Sequence, residues 1–507
     1  MVCKINCAAI TGVDVVPVIV ETDICNGLPS FDMVGLLSYD IKESRERVRT
    51  AIKNSGFSVP PKRITINFSP GNIRKTGTYF DLPVAVSILW CLSLIKCDLT
   101  DKMFVGELSL SGRVVEINGV LPIVLYALEQ GMKYCFVPAG NMGECHYISG
   151  IKVIGIENLN QLIMILANED YDSGTCENCS DLKVESEEEE TYDFKWIKGQ
   201  IQARKASEIA AAGMHNLLLI GPPGTGKTVI AKTMKTILPE MSEEERIEIS
   251  KIQSIAGNLK GNLVKTRPFR NPHHTTTIAA MTGGGVNPKP GEITLAHGGV
   301  LYMDEFPEFS KGVMEALRQP LEDKRIVISR TGGAYCFPAD FILLAAMNPC
   351  RCGYYPDRNK CSCTERDVSK YMEKISGPIL DRIDMCVHMN TISFADVTRE
   401  YEAESSKEIK KRVDQAVLIQ QERYKKEEIR FNSQLEGDKL KKYCFLGKEE
   451  TEILKQIYEK MELSMRSYEK ILKTARTIAD LKEREKIEYD DIAEAVSYKA
   501  VSVRRAG

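Results

Sequence analysis

The run Leu217-Leu-Leu-Ile-Gly221-Pro222-Pro223-Gly224-Thr225-Gly226-Lys227-Thr228 carries the most specific chemistry in the chain. An apolar strand enters a GxxxxGKT loop, and a helical stretch over 229–237 leaves it. Phosphate groups need backbone N–H groups converging on them; glycines allow the tight curl, and a helix N-terminus adds a favourable dipole. In such a loop Lys227 reaches the β- and γ-phosphates of ATP, and the Thr228 hydroxyl ligates Mg²⁺. Downstream, Gly298-Gly-Val-Leu-Tyr-Met-Asp304-Glu305 is a second apolar strand ending in two acids. Asp304 suits the Mg²⁺ shell, and Glu305 suits the base that polarises an attacking water. A third strand over 341–346 leads to Asn348, whose amide can orient that water and sense the γ-phosphate. A turn-forming Asn before Pro349 is the plainer alternative.

Two further clusters stand close by. Cys350-Arg-Cys352 is followed by Cys361-Ser-Cys363. Four thiolates in two pairs can surround Zn²⁺ as a tetrahedron, although CxC spacing strains that geometry; four reduced thiols are the alternative. The glycine- and proline-rich segment 257–298 reads as a long loop insertion bearing Lys260, Lys265, Arg267, Arg270, His273 and His274. The stretch 325–337 reads as a hairpin, with Thr331-Gly-Gly-Ala in its turn and Arg325 and Arg330 on one arm. Several copies of such cations would suit a phosphate backbone. The adjacent imidazoles of His273 and His274 point apart in most conformations, so they read as phosphate or pore contacts or as ordinary surface residues, not as a shared metal site.

These residues need elements to hold them. The chain has 507 residues, 43% apolar and 27% charged. That is enough for about three domains. Its 67 basic and 70 acidic residues leave a net charge of −3, which excludes a globally basic nucleic-acid coat but not a local basic surface. The longest apolar stretch, 82–95, is shorter than the roughly 20 residues of a bilayer crossing and reads as a buried helix, so no membrane association is expected. Asp14 interrupts the apolar N-terminus, against a signal peptide. Sixteen cysteines in a large chain with a phosphate motif point to a reducing cytoplasm.

Residues 1–168 mix β-rich runs at 13–20, 63–68 and Lys152–Ile156 with helical stretches at 42–55 and 82–95, as in an α/β domain. Residues 169–193 form an acidic linker with too little apolar surface to order itself, and its Cys176 and Cys179 read as free thiols or as half a metal site. Residues 194–395 alternate apolar strands with helices, the pattern of a parallel sheet flanked by helices. Residues 396–507 are helical, with Ile471, Leu472, Ala475, Ile478 and Ala479 at three-to-four spacing.

The P-loop, the acidic strand end, the terminal Asn and the helical C-terminal region together resemble an AAA+ ATPase. Ala210-Ala-Ala-Gly-Met-His-Asn-Leu, Arg270-Asn-Pro-His-His-Thr, Gly377-Pro-Ile-Leu-Asp-Arg-Ile-Asp and Arg476-Thr-Ile-Ala-Asp-Leu are similar to the magnesium-chelatase-like branch. Val34-Gly-Leu, followed by Lys42-Glu-Ser-Arg-Glu-Arg-Val-Arg and Phe80-Asp-Leu-Pro, narrows the resemblance to the YifB/ComM group. It covers nearly the whole chain apart from the acidic linker. The resemblance implies an α/β fold in three parts: an N-terminal Lon-protease-like (ribosomal S5 domain 2-like) domain, a P-loop AAA+ parallel-sheet core and an all-α lid. It implies that Arg382, in Leu380-Asp-Arg-Ile-Asp, is an arginine finger for the γ-phosphate of the next subunit in a homo-hexamer. Arg466, in Leu463-Ser-Met-Arg, matches the lid arginine that reports nucleotide state.

Gly106-Glu-Leu-Ser-Leu-Ser-Gly-Arg-Val and 133–138 resemble the proteolytic domain of Lon. Where Lon carries its serine this chain has Lys75-Thr-Gly-Thr-Tyr79-Phe80, and where Lon carries its lysine it has Gly119-Val-Leu-Pro-Ile. Nucleophile and base are both missing, so the domain is expected to dock or guide and not to cut peptides. The resemblance further implies a motor that drives DNA branch migration as incoming strands recombine in natural transformation, with recombination proteins as partners. No sequence-reading helix-turn-helix is evident, so DNA binding would be sequence-independent. The main alternative is a magnesium-chelatase-type subunit that remodels a protein partner; a peptide unfoldase and an ATP-gated scaffold are the others.

Overall fold

The computed structural model describes residues 2–169, 171–172, 192–259, 261–285, 288–330, 333–391 and 404–499. Most of the acidic stretch with Cys176 and Cys179, together with Lys260 and the hairpin-turn residues Thr331 and Gly332, lies outside the described residues.

The N-terminal region is built on a seven-stranded mixed sheet. Its order is Ser30–Val34, Arg63–Ser69, Asp14–Cys25, Cys3–Thr11, Lys102–Phe104, Tyr134–Pro138, Lys152–Ile156. Helix Asp81–Cys91, apolar on nearly every side, is buried against it as such a helix must be. Helix Tyr39–Asn54 is charged outside and turns Ile41, Ser44, Val48, Ala51 and Ile52 inward, one stripe at helical spacing.

The nucleotide region is a five-stranded parallel sheet in the order Phe269–Arg270, Val300–Met303, Ile342–Met347, Leu217–Ile220, Met385–His388. The three central strands are buried along their whole length, which is why they read as unbroken apolar runs. Phe269–Arg270 corrects the expectation of one continuous loop insertion over 257–298, because it pairs with Val300–Leu301 and completes the sheet edge. Flanking Pro268 and Pro272 confine it to two residues, too few to show a period.

Parallel strands send all their C-terminal ends to one edge. Gly221, Asp304 and Asn348 follow three of those ends, so the crevice they share is set by topology. Arg382 precedes Met385 and therefore lies at the opposite edge. At about 3.3 Å per residue, four-residue strands put on the order of 13 Å between the two edges.

Among the described residues five helices form the C-terminal bundle: Ser406–Tyr424, Gly437–Tyr443, Lys448–Lys460, Met465–Leu481 and Tyr489–Ser497. Ile471, Leu472, Ala475, Ile478 and Ala479 are buried, as their spacing predicts. A polar network locks the bundle. The fully buried Asp480 accepts from Arg423, from Arg476 Nε at 3.1 Å and from Asn432 Nδ2 at 2.8 Å. Thr477 Oγ1 then joins Asn432 at 3.0 Å to His215 Nε2 at 2.7 Å, beside the P-loop strand. The N-terminal region docks through helix Val120–Glu129 onto helix Glu243–Ala256, where the Gly119 N–H donates to the Ser254 carbonyl at 3.0 Å and the Ser254 hydroxyl to the buried Glu144. Among the described residues no helix is long and apolar enough to cross a membrane.

Candidate active site

The P-loop curls through Gly224 (φ +79°) and Gly226 (φ +89°), a left-handed backbone that glycine adopts without steric cost. Helix Lys227–Thr233 begins there. Lys227 Nζ donates to the carbonyls of Gly221 at 2.6 Å and Pro222 at 2.9 Å, and to Asn348 Oδ1 at 3.1 Å. Burial draws its pKa down while Asp304 and Glu305 oppose that shift. The Thr228 hydroxyl donates to Asp304 Oδ2 at 3.0 Å. That pair offers the hard oxygen donors Mg²⁺ requires, so the residues fit the ion. When bound, Mg²⁺ neutralises charge on the β- and γ-phosphate oxygens. Tyr302, unremarked in the sequence, is buried behind them with its hydroxyl 3.5 Å from Thr228 Oγ1.

Glu305 follows its strand in a left-handed conformation at φ +51°, a strained setting for a non-glycine residue. Its N–H donates to Asp304 Oδ1 at 2.9 Å. His274 Nδ1 lies 3.5 Å from Glu305 Oε2, and the His273 ring packs against His274 at a tilt of 35°, with centroids 4.1 Å apart. The histidine pair thus touches the candidate base, a contact that spacing alone did not indicate.

Cys350, Cys352, Cys361 and Cys363 present four sulfurs within 4.8 Å of one another. Sγ–Sγ separations of 3.3, 3.8 and 3.4 Å link the first three. A zinc tetrahedron with Zn–S of about 2.3 Å has edges of about 3.8 Å, so the donor set fits zinc in spite of the CxC spacing. The Tyr354 N–H leads in holding the Cys352 thiol down to about 6, and the Tyr355 N–H donates to Cys350 Sγ at 3.4 Å. The loop leans on the nucleotide site: a Cβ on Gly353 (φ +91°) would come within 2.8 Å of Pro223 Cδ.

At the opposite edge Arg382 donates to the Pro378 carbonyl at 2.7 Å and pairs with Glu322, which also takes Arg466 Nη2 at 2.9 Å. Neither guanidinium meets its own chain's P-loop.

The cations expected to meet a phosphate backbone divide. Arg325 and Arg330 are exposed on the hairpin Arg325–Arg330/Gly333–Pro338, and Lys265 and His273 are exposed too. Arg267 is corrected: it is buried, with Glu245, Pro239, Glu240 and Gly298 taking all its donors. Arg270 is half-buried and held by both oxygens of Glu292 at 2.7 and 2.8 Å on the sheet edge. A cation in a Gly/Pro-rich stretch looks solvated until its carbonyl partners are known.

Three family models match the chain. "Magnesium chelatase, subunit ChlI" covers residues 193–397, "Subunit ChlI of Mg-chelatase" covers 20–141, and "Magnesium chelatase, subunit ChlI C-terminal" covers 403–499. The chain is 37% identical over 493 residues to Competence protein ComM of Haemophilus influenzae, covering 97% of this chain and 96% of that one. It is 38% identical over 509 residues to YifB of Salmonella typhimurium, covering 98% and 97%. The chain belongs to the YifB/ComM group of magnesium-chelatase-like AAA+ ATPases.

The YifB/ComM core therefore owns the parallel sheet and its crevice. Its N-terminal region is similar to Lon protease 2 of Bacillus subtilis, 29% identical over 155 residues, 28% of this chain and 27% of that one. In this YifB/ComM chain the stretch expected to match Lon's serine turn is packed shut: Phe80 is fully buried, and the Tyr79 hydroxyl accepts from the Ile10 N–H at 3.2 Å.

Proposed function

We propose that the chain hydrolyses ATP as a cytoplasmic homo-hexameric ring and uses the energy to move DNA, driving branch migration as incoming strands recombine. One observation carries this reading: Lys227, Thr228, Asp304, Glu305 and Asn348 gather at one edge of the sheet while Arg382 and Arg466 sit at the other. A γ-phosphate bound over residues 221–228 cannot meet both sets within one protomer, so a neighbour must bring the arginines. In the ring Glu305 activates the attacking water, Asn348 orients it, Arg382 stabilises the transition state and Arg466 reports the nucleotide. The working units are 1–168, the linker 169–193, the ATPase core 194–395 and the lid 396–507. The four cysteines hold a structural Zn²⁺.

DNA is supported by the exposed Arg325 and Arg330, by Lys265, and by full-length similarity to a competence protein. The His274–Glu305 contact would let the segment 257–298 inform the base of what it touches. A second reading, a chelatase-type subunit remodelling a protein partner, is favoured by all three family models. Steady-state ATPase with single-stranded DNA, branched DNA, unfolded protein or no addition separates the two. Stimulation by DNA, lost in Lys227→Ala and Glu305→Gln, is the expected result. Stimulation by protein alone would overturn the DNA reading.

A further inference from the structure

Glu322 lies on the short helix Arg318–Asp323, which precedes the hairpin and so sits at the edge of the sheet away from the P-loop. Its two oxygens are shared between two arginines. Oε2 takes Arg382 Nη2, from the turn that enters the last strand, and Oε1 takes Arg466 Nη2 at 2.9 Å, from the start of a lid helix. A third guanidinium, Arg318, opens the same helix, with its Nη1 on Glu315 at 2.7 Å and its Nη2 on Ser376 Oγ at 3.2 Å. Arg318 Nε and Arg382 Nε are both buried without an acceptor. Burial first, then the charges of Arg466 and Arg318, draws the pKa of Arg382 down.

Three like charges gathered on one face repel unless an anion holds them. A guanidinium fork fits carboxylate and phosphate oxygens equally well. Here one carboxylate, half exposed, joins the largely buried Arg382 to the exposed Arg466. Arg382 is also aimed by the Pro378 carbonyl at 2.7 Å, so its direction is set by main chain as well as by Glu322.

We propose that Glu322 is a built-in stand-in for a phosphoryl group: it holds Arg382 and Arg466 together in the free protomer and gives way when a neighbour's ATP γ-phosphate enters between them. This rests on the shared-site reading above. Glu322 is then a positioning residue that favours the unassembled state, and removing its charge makes interface closure easier.

The test uses the full chain. ATPase per protomer and oligomer size by mass photometry are followed against protein concentration at saturating ATP and Mg²⁺, for wild type, Glu322→Gln and Glu322→Ala. Glu322 is half exposed and Arg466 more so, so its hold is modest: the concentration for half-maximal activity should fall about five-fold, with the plateau rate kept. A merely structural role cannot produce that gain at low concentration. A plateau that falls as it does in Arg382→Ala would make Glu322 part of the reacting arrangement and overturn the proposal. An unmoved concentration curve in both variants, with thermal unfolding unchanged, would overturn it as well. Mixing Arg382→Ala with Lys227→Ala chains separates the two ideas. No rescue of turnover sinks the shared site itself. Rescue with an unmoved Glu322 curve sinks only the stand-in.

Discussion

The two edges of the five-stranded sheet are made in opposite ways. At the P-loop edge, groups from three strand ends and one contiguous loop meet through hydrogen bonds of 2.6–3.1 Å, with Lys227 and Thr225 buried. At the other edge, Glu322, Arg382 and Arg466 come from a short helix, a turn and a lid helix, and they meet on the surface. The first is a cage that backbone geometry closes. The second is held by side-chain charges and by the single Pro378 carbonyl on Arg382. On the proposed shared-site reading, turnover runs at the rate at which one protomer's surface meets another's cage.

The hardest way to break this division is to remove one group from each edge. Lys227→Ala should lower turnover about 10³-fold by loss of phosphate binding, and Arg382→Ala by a similar factor with ATP binding kept. Equilibrium nucleotide binding tells them apart. Glu305→Gln should cost on the order of 10²–10³ in the chemical step while leaving binding intact. Mixed Lys227→Ala and Arg382→Ala chains should regain activity that neither has alone. Failure to do so would place both sets in one protomer's service.

A test of intermediate size addresses the lid that carries Arg466. Asp480→Ala strands Arg423 and Arg476 without their buried carboxylate, so unfolding in denaturant should show a loss of about 3–5 kcal/mol. A loss under about 1 kcal/mol would mean that the network does not lock the lid.

The two edges also differ in how far the sequence exposes them. The P-loop, Asp304, Glu305 and Asn348 are each tied to a strand end by local rules, so their meeting is legible once the strands are called parallel. Arg382 and Arg466 stand out only through resemblance, and Glu322 and Arg318 not at all. Nothing in the spacing of a surface acid says which distant cation it will meet. Phe269–Arg270 escaped because proline on both sides leaves no period to read. Arg267 misled for the reverse reason, since its burial depends on carbonyls of residues far along the chain.

The cysteine loop belongs to the cage edge and sharpens the contrast, because Gly353 packs on Pro223 of the P-loop. Elemental analysis should find one zinc per chain. Chelation, or Cys361→Ser, should release it, lower the melting temperature and weaken ATP binding about tenfold. Metal-free protein with unaltered nucleotide affinity would show that the loop does not brace the cage.

Another effect lies at the arginine edge and shows in acid. His215 precedes the P-loop strand, wholly buried against Thr477, and burial lowers its pKa to about 4 from an ordinary 6.5. Asp384 opposes that shift, while Lys473, Lys470 and Lys324 reinforce it. The unfolded chain therefore binds a proton that the folded one refuses between these values. The stability this gives is complete above about pH 6.5 and declines as pH falls toward 4, by about 2 kcal/mol at pH 5. The lid rests on this histidine through Thr477 Oγ1 at 2.7 Å, so acid should loosen the arginine edge before the nucleotide cage. Unfolding free energies at pH 7 and pH 5 should differ by that amount in the wild type and much less in His215→Asn. Equal pH dependence in both would assign the acid sensitivity to other groups and leave the lid's attachment independent of protonation.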